Sequence, residues 1–388
     1  MSPRAVVIYC GMLMSLSAFS VDVTLPSFPA IVEELDAPYS QVQWTITFYL
    51  FMAGVAQLLW GPLSDRVGRR PVLAAGLSIY LAGCLVSAFA PTIHLLLAGR
   101  LLQGFGGAAA TVMARAVTRD LFSGQELARN LALAMAIFAV GPILAPLAGA
   151  AIAVPFGWRA IFAVLAVFAL GLILSLLRLP ETIRVRLPDS IRPSVLGARS
   201  VRLLAHPQSR YFLILSAVIM SSMIFILSSA PRLFDRNFGI VGTFFALMFA
   251  LHGTGIIVGQ TLNRRMIPRL GIVRAMRVGN LVLILSATSI LVLALTGLAT
   301  PWSMTAMFVL YSTSYLIVYS NASAMVLDPH GDIAGFAAAA YGFVSQIGAS
   351  VIASVLILFT GDSIAAFGTT LLLICVTCFA MLAGWRVR

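Results

Sequence analysis

The segment Gly61-Pro-Leu-Ser-Asp65-Arg66-Val-Gly68-Arg69-Arg70-Pro71 decides how this chain is read. It separates two strongly apolar runs, residues 41–62 and 71–90. Each is as long as the roughly 20 residues that cross a ~30 Å hydrocarbon core. Gly61 and Pro62 weaken the end of the first run, Gly68 permits a tight reversal, and Pro71 suits the first turn of a following helix. Asp65 stands among three arginines, so the loop can build a charge network at a membrane face. A loop that merely held positive charge on one side would need the arginines but not the ordered acid and glycines.

Outward from this hairpin the apolar runs continue. They cover residues 6–27, 41–62, 71–90, 93–115, 130–152 and 159–178 in the first half. In the second half they cover 211–230, 241–262, 277–298, 302–326, 334–359 and 365–385. Membrane-barrel strands would be ~10 residues long and alternating; these runs are longer and apolar all round. The expected fold is therefore an all-α membrane protein of twelve transmembrane helices in two pseudo-symmetric six-helix bundles. Composition agrees: 388 residues, 60% hydrophobic and 10% charged, with mean hydropathy +1.01. A soluble domain carries roughly 25% charged residues, so that class is excluded. The first run follows Arg4 but lacks a small-residue cleavage site, and it is read as a retained span.

The net charge is +12, and every basic residue is an arginine. With both termini in the cytoplasm, twenty of the 25 arginines are cytoplasmic or at that border. Arg159, Arg232 and Arg236 lie outside, and Arg100 and Arg115 lie inside spans. The opposite orientation would put twenty arginines outside, against the positive-inside rule. The charge is thus a topology signal and no sign of nucleic-acid binding. The five tryptophans fall at or near span ends, where their rings favour the headgroup level.

Residues 179–210 form the longest cytoplasmic connection, with Arg184, Arg186, Arg192, Arg199, Arg202 and Arg210 and four prolines. It separates an N-terminal bundle (1–178) from a C-terminal one (211–388). Gly259-Gln-Thr-Leu-Asn263-Arg264 repeats the opening segment 198 residues later, with Asn263 in the place of Asp65. Two related six-span halves place a substrate site near the midplane between them.

Asp22 is the only carboxylate inside a span. Gly11, Ser15, Ala18 and Asp22 share one helical face. An isolated buried carboxylate is costly unless it protonates or finds a partner. In span 4, Arg100 shares a narrow stripe with Gly104, Gly107 and Thr111, and Gln103 is adjacent. Asp22 and Arg100 both fall in the outer half of their spans and can pair, either as a proton-exchanging couple or as a permanent structural ion pair.

The opening segment resembles the signature loop of the major facilitator superfamily. In that family the loop braces the cytoplasmic side and helps close the inner gate, which implies gating roles for Gly61, Asp65, Arg66 and Arg70. Arg100-Leu-Leu-Gln103-Gly104 resembles the superfamily's span-4 motif, whose arginine is associated with proton coupling. Gly141-Pro142-Ile-Leu-Ala-Pro146-Leu-Ala-Gly149 resembles the kink motif of exporting drug:proton antiporters. The stretches Asp22-Val-Thr-Leu-Pro26, Arg119-Asp120-Leu-Phe, Trp158-Arg-Ala-Ile-Phe162, Pro180-Glu-Thr182 and Ser320-Asn321-Ala322 look most like the bicyclomycin-resistance (Bcr/CflA) subfamily. The resemblance implies alternating access with efflux of small amphipathic molecules against protons, by a monomer.

Span 10 is the most polar, with Tyr311, Ser312, Tyr315, Tyr319 and Ser323 within about 120° of arc. Tyrosines suit an amphipathic ligand, and equally suit packing between the halves. Tyr49, Gln103, Met220, Met223 and Gln346 are further candidates for the same cavity. His252 lies mid-span and can hydrogen-bond a neighbouring helix. Cys10, Cys84, Cys375 and Cys378 lack a second ligand pair and read as lipid-facing thiols, so no metal is expected and no cofactor. A chain without lysine has no phosphate-binding G-x-x-x-x-G-K-[ST] loop. An uptake symporter is the alternative within the transporter class; a channel or membrane enzyme is the alternative outside it.

Overall fold

A computed structural model describes residues 1–183, 186 and 188–385, the side chains of Ala128, Ala132 and Asp332 excepted. The first half holds α1 (Pro3–Asp22), α2 (Phe28–Glu34), α3 (Tyr39–Val67), α4 (Arg69–Ala88), α5 (Ile93–Leu121), α6 (Gly124–Phe156) and α7 (Trp158–Leu176). The connection carries α8 (Pro193–Ala205), and its Arg184 lies outside the described residues. The second half holds α9 (Pro207–Phe238), α10 (Gly242–Leu270), α11 (Ile272–Leu295), α12 (Pro301–Leu327), α13 (Ala334–Thr360) and α14 (Ile364–Gly384).

Eleven helical segments are long and apolar enough to cross a membrane among the described residues, with α1 and α2 counted as one. The expected twelfth is α12. It has the length, 27 residues, but its tyrosines and serines keep it below the apolarity of the others. Span 1 is not one helix, as expected, but two. Helix α1 stops at Asp22, a single 3-10 turn follows at Leu25–Ser27, and α2 resumes at Phe28. Pro26 and Pro29 explain the break, since neither supplies the backbone N–H a continuous helix needs. Most other helices overrun their apolar runs, α5 to Leu121 and α10 to Leu270. Hydropathy reports where the hydrocarbon ends, whereas backbone groups stay paired in the helix beyond it.

The two halves pack alike. Helix α1 lies on α6 as α9 lies on α13, α3 on α5 as α10 on α12, and α4 on α7 as α11 on α14. The halves meet along two seams, α3 against α13 and α6 against α10. Gln57 Nε2 donates to Gln346 Oε1 at 2.9 Å, and Gly253 of α10 abuts Pro142 and Ile143 of α6. At the end opposite the termini the halves also touch. There Gln43 Nε2 donates to the Ser228 carbonyl at 2.9 Å, and the Arg232 guanidinium lies 5.1 Å from the Tyr39 ring centre. Arg232 also pairs with Asp362, and Arg159 with Glu34, at that same end.

Candidate functional site

Three clusters carry the polar chemistry. The first is the signature hairpin at the terminal end. Gly68 has φ +113°, a conformation open to glycine at little cost. A Cβ there would also stand 2.5 Å from Glu181 Oε2. The turn thus lets the Glu181 carboxylate sit on the N-terminus of α4, where it accepts from the backbone N–H of Arg69 (2.9 Å) and Arg70 (3.1 Å). It also accepts from the N–H groups of Thr182 and Ile183. A helix N-terminus favours such an anion.

Arg69, not singled out from the sequence, is the hub. Its Nη1 donates to Asp65 Oδ1 at 2.6 Å and Ser64 Oγ at 2.5 Å, and its Nε donates to Asp120 Oδ2 at 3.0 Å. Asp120 also accepts from Thr182 Oγ1 at 3.1 Å. Of the residues expected to gate, Asp65 is in the network and Arg70 reaches the Leu177 carbonyl at 3.4 Å. Arg66 is exposed, and Gly61 lies a turn away in α3. The hub was illegible because its partners lie 51 and 112 residues along the chain. The stretches Arg119-Asp120 and Pro180-Glu181-Thr182 held the signal without the pairing.

Burial pushes the Glu181 carboxyl upward, but the four backbone N–H groups outweigh it and hold the group below its ordinary value of 4.5. A depressed carboxyl stabilises the fold above its unfolded-state pKa and loses that contribution as pH falls through the folded one. Glu181→Gln is therefore expected to lower the melting temperature at pH 7. The difference from wild type should shrink progressively below pH 4.5. A difference that grew on acidification would contradict this assignment.

The second cluster lies inside the N-terminal bundle. Arg100 is 0% exposed. Its Nε donates to the Thr45 carbonyl at 3.1 Å, and its Nη1 to the Ser20 carbonyl at 3.0 Å and to Gln103 Oε1 at 2.9 Å. The guanidinium carbon lies 4.7 Å from the Tyr49 ring centre. Arg100 therefore ties α5 to α1 and α3, and Nη2 is left without a partner. Its expected pairing with Asp22 is absent: no ion pair joins them among the described residues. Arg100 instead holds the carbonyl of Ser20, two residues before Asp22, because the break in α1 exposes that last turn to it. Asp22 is 7% exposed, and no hydrogen bond to its carboxylate is present among the described residues.

The stripe of Gly11 and Ala18 faces α6, at Ile137 and Gly141. Gly149 of the kink motif closes the same contact: a Cβ added there would stand 2.0 Å from the Val23 carbonyl oxygen. Pro142 and Pro146 remain inside a continuous α6. The motif thus touches the broken end of α1 on one side and α10 on the other. Gly149→Ala must push the α1 break away from α6. It is expected to destabilise by roughly 2–3 kcal/mol and to lower transport, read by melting temperature and by vesicle flux. An unchanged melting temperature would show that the contact relaxes freely.

The third cluster is on α12. The cavity expectation needs correcting for several residues. Tyr49 and Gln103 are buried within the N-terminal bundle, where Tyr49 donates to Ser17 Oγ at 3.1 Å and Gln103 to Cys84 Sγ at 3.0 Å. Tyr311 is buried in the C-terminal bundle beside Cys375, 3.5 Å away. Gln346 is engaged by Gln57 across the seam. Met223 is buried and Met220 half-buried in α9. Arc alone could not separate these faces, because α12 is wrapped on three sides by α9, α10 and α11. Tyr315 and Tyr319 stack at 5.6 Å between ring centres, and Tyr341, missed from the sequence, lies 5.3 Å from Tyr319. Tyr319 is partly accessible and hydrogen-bonds Ser345 Oγ at 3.2 Å.

His252 Nδ1 lies 3.3 Å from the Phe308 carbonyl, and its ring stacks on Phe249. The four cysteines are free and buried rather than lipid-facing, because each fills an interhelical contact. In the second half Asn263 and Asn321 exchange amide hydrogen bonds at 3.3 and 2.9 Å. A neutral lock thus stands where the first half has a charged one.

Two pseudo-symmetric helical bundles, polar clusters at their joints and a broken first helix define a membrane transporter of the alternating-access class. Residues 10–353 match the Major Facilitator Superfamily, and the chain belongs to that family of transporters. It is 27% identical to the bicyclomycin resistance protein homolog of Haemophilus influenzae, over 86% of this chain and 84% of that one. It is 31% identical to a chloramphenicol resistance protein of Pseudomonas aeruginosa, over 83% of this chain and 74% of that one. The fold is similar to the partially occluded inward-open xylose transporter XylE from E. coli, with TM-score 0.74, 16% identity and 99% of each chain covered.

Proposed function

We propose that this protein is a proton-coupled exporter of small amphipathic compounds in a bacterial inner membrane, acting as a monomer with both termini cytoplasmic. Residues 1–178 and 211–388 are the two bodies that rock about the seams, with 179–210 between them. The observation that carries this reading is Asp22: a buried carboxylate without a partner among the described residues, at the end of a broken helix. Its burial costs several kcal/mol while it is ionised, and taking up a proton removes that cost. A proton taken up on one side and released on the other couples that energy to the rocking of the bundles.

Arg100 positions the break through Ser20 and supplies the fixed positive charge of this bundle. Asp65, Arg66, Arg70 and Gly61, joined by Arg69, Asp120 and Glu181, form the inner gate. The kink motif Gly141, Pro142, Pro146 and Gly149 couples α1 to α10. The relatives named for resistance to bicyclomycin and chloramphenicol support export.

Inverted membrane vesicles with an acid lumen provide the test. Vesicles carrying the protein should accumulate radiolabelled chloramphenicol or bicyclomycin, and a protonophore should abolish the accumulation. Protons driving both compounds outward, in their own direction, would make the chain a symporter instead.

A further inference from the structure

The connection between the bundles contains a helix that the proposed cycle does not use. Helix α8 (Pro193–Ala205) is pinned at its start and along one side. Just ahead of it Ser190 Oγ donates to the Pro62 carbonyl at 2.8 Å, and its own Leu203 is 1% exposed. The opposite side is uncovered. At about 100° per residue, Gly197, Ala198, Val201, Leu204 and Ala205 fall within about 120° of arc. All five are exposed, Val201 at 69%. From Gly197 onward that arc holds no polar residue, whereas a helix side facing only water is normally polar.

Helix α8 runs into α9 through His206 alone. Four residues after Pro207, about 6 Å further at 1.5 Å per residue, Tyr211 packs against Trp385 with ring centres 4.9 Å apart. Tyrosine and tryptophan at span ends mark the headgroup level, so the end of α8 lies beside that layer. The charge suits an anionic one. Residues 186–210 hold five arginines and one acid, Asp189. Arg192 and Asp189 pair at 2.9 Å with both side chains exposed, and water weakens such a pair. Arg210, next to Tyr211, is also exposed. An apolar stripe accompanied by guanidinium groups is the makeup of helices that lie in a membrane surface, and each basic residue adds attraction to anionic headgroups. A loop that only set topology would need the arginines but no ordered apolar side.

We propose that α8 is an interfacial helix that seats Val201 and Leu204 in the boundary of the inner leaflet, with Arg192 and Arg210 on anionic phospholipid headgroups. The choice of leaflet rests on the cytoplasmic termini proposed above. Nanodiscs present both faces of one bilayer, so docking is tested there independently of sidedness.

The four native cysteines are buried, so a Val201→Cys protein takes a nitrobenzoxadiazole label at that position, with wild type setting the background. In nanodiscs of phosphatidylcholine and phosphatidylglycerol, its emission should shift to the blue as the phosphatidylglycerol fraction rises. Doxyl groups near the top of the acyl chains should then quench it, and aqueous iodide should not. Arg210→Gln should raise the fraction at half shift roughly fivefold. Leu204→Asp should abolish the shift while leaving the melting temperature in neutral detergent unchanged. The lipid titration needs only the Val201→Cys protein, so it answers the question even where Leu204→Asp fails to fold. Iodide-accessible emission at every composition, or an equal shift in pure phosphatidylcholine, overturns the proposal. A label that stays aqueous in nanodiscs yet is shielded in native membranes assigns the stripe to a protein partner and equally overturns it.

Discussion

Asp22→Asn protein will bind substrate but will not concentrate it. In inverted vesicles with an acid lumen, accumulation by this variant should fall to the level of protein-free vesicles. Equilibrium binding and downhill exchange should persist. The amide keeps the shape of the side chain at the end of α1 and removes the one property the cycle needs, a proton that comes and goes. Structure sets a second, opposite expectation for stability. The wild-type carboxylate is buried without a partner among the described residues, and a neutral amide is cheaper to bury than a carboxylate. The variant should therefore melt at the same temperature as wild type or higher. Lost transport with retained stability separates a coupling role from a folding role. Uphill accumulation by the variant would remove Asp22 from the mechanism.

Arg100→Lys keeps the charge and should still cost more than tenfold in efflux rate. The arginine bridges two helices at once, through Nε to the Thr45 carbonyl and Nη1 to the Ser20 carbonyl, with the Tyr49 ring against its face. One ammonium on a flexible stem cannot reproduce that fork or the stacked plane. Loss of the bridge should also lower stability by roughly 2–3 kcal/mol, the scale of charged hydrogen bonds. Arg100→Met offers the informative contrast. It removes a buried charge that has no carboxylate partner among the described residues, so it should recover part of the stability lost in the lysine variant and none of the transport. A lysine variant that transports like wild type would show that charge alone matters at this position.

The Glu181 clasp has a broader consequence for gating. In the first half the hairpin is held by ionised groups, Asp65, Arg69, Asp120 and Glu181. In the second half the corresponding place is held by two amides. Acid or high salt acts on the first lock and leaves the second alone. The two bundles therefore differ in chemistry where their folds are alike.

Much of this was legible in the chain before any coordinates. Spacing of apolar runs gave the number of spans, because a bilayer imposes one length on every helix that crosses it. The asymmetry of the arginines gave the expected sidedness, and the repeat around Gly61 and Gly259 gave the two halves. Single charges in apolar runs marked Asp22, Arg100 and Arg115, since hydrocarbon makes each one expensive enough to be noticed.

Tertiary structure alone decided who meets whom. Asp22 and Arg100 were natural partners on helical phase, yet the break at Pro26 turned the Ser20 carbonyl toward the arginine and left the acid alone. Tyr49, Gln103 and Tyr311 had the chemistry of a binding cavity but are enclosed within single bundles. Arg69 became the hub only when residues 51 and 112 positions distant came to its side. Periodicity reports the face a residue occupies on its own helix. Which neighbour covers that face depends on how helices pack, and that information is long-range.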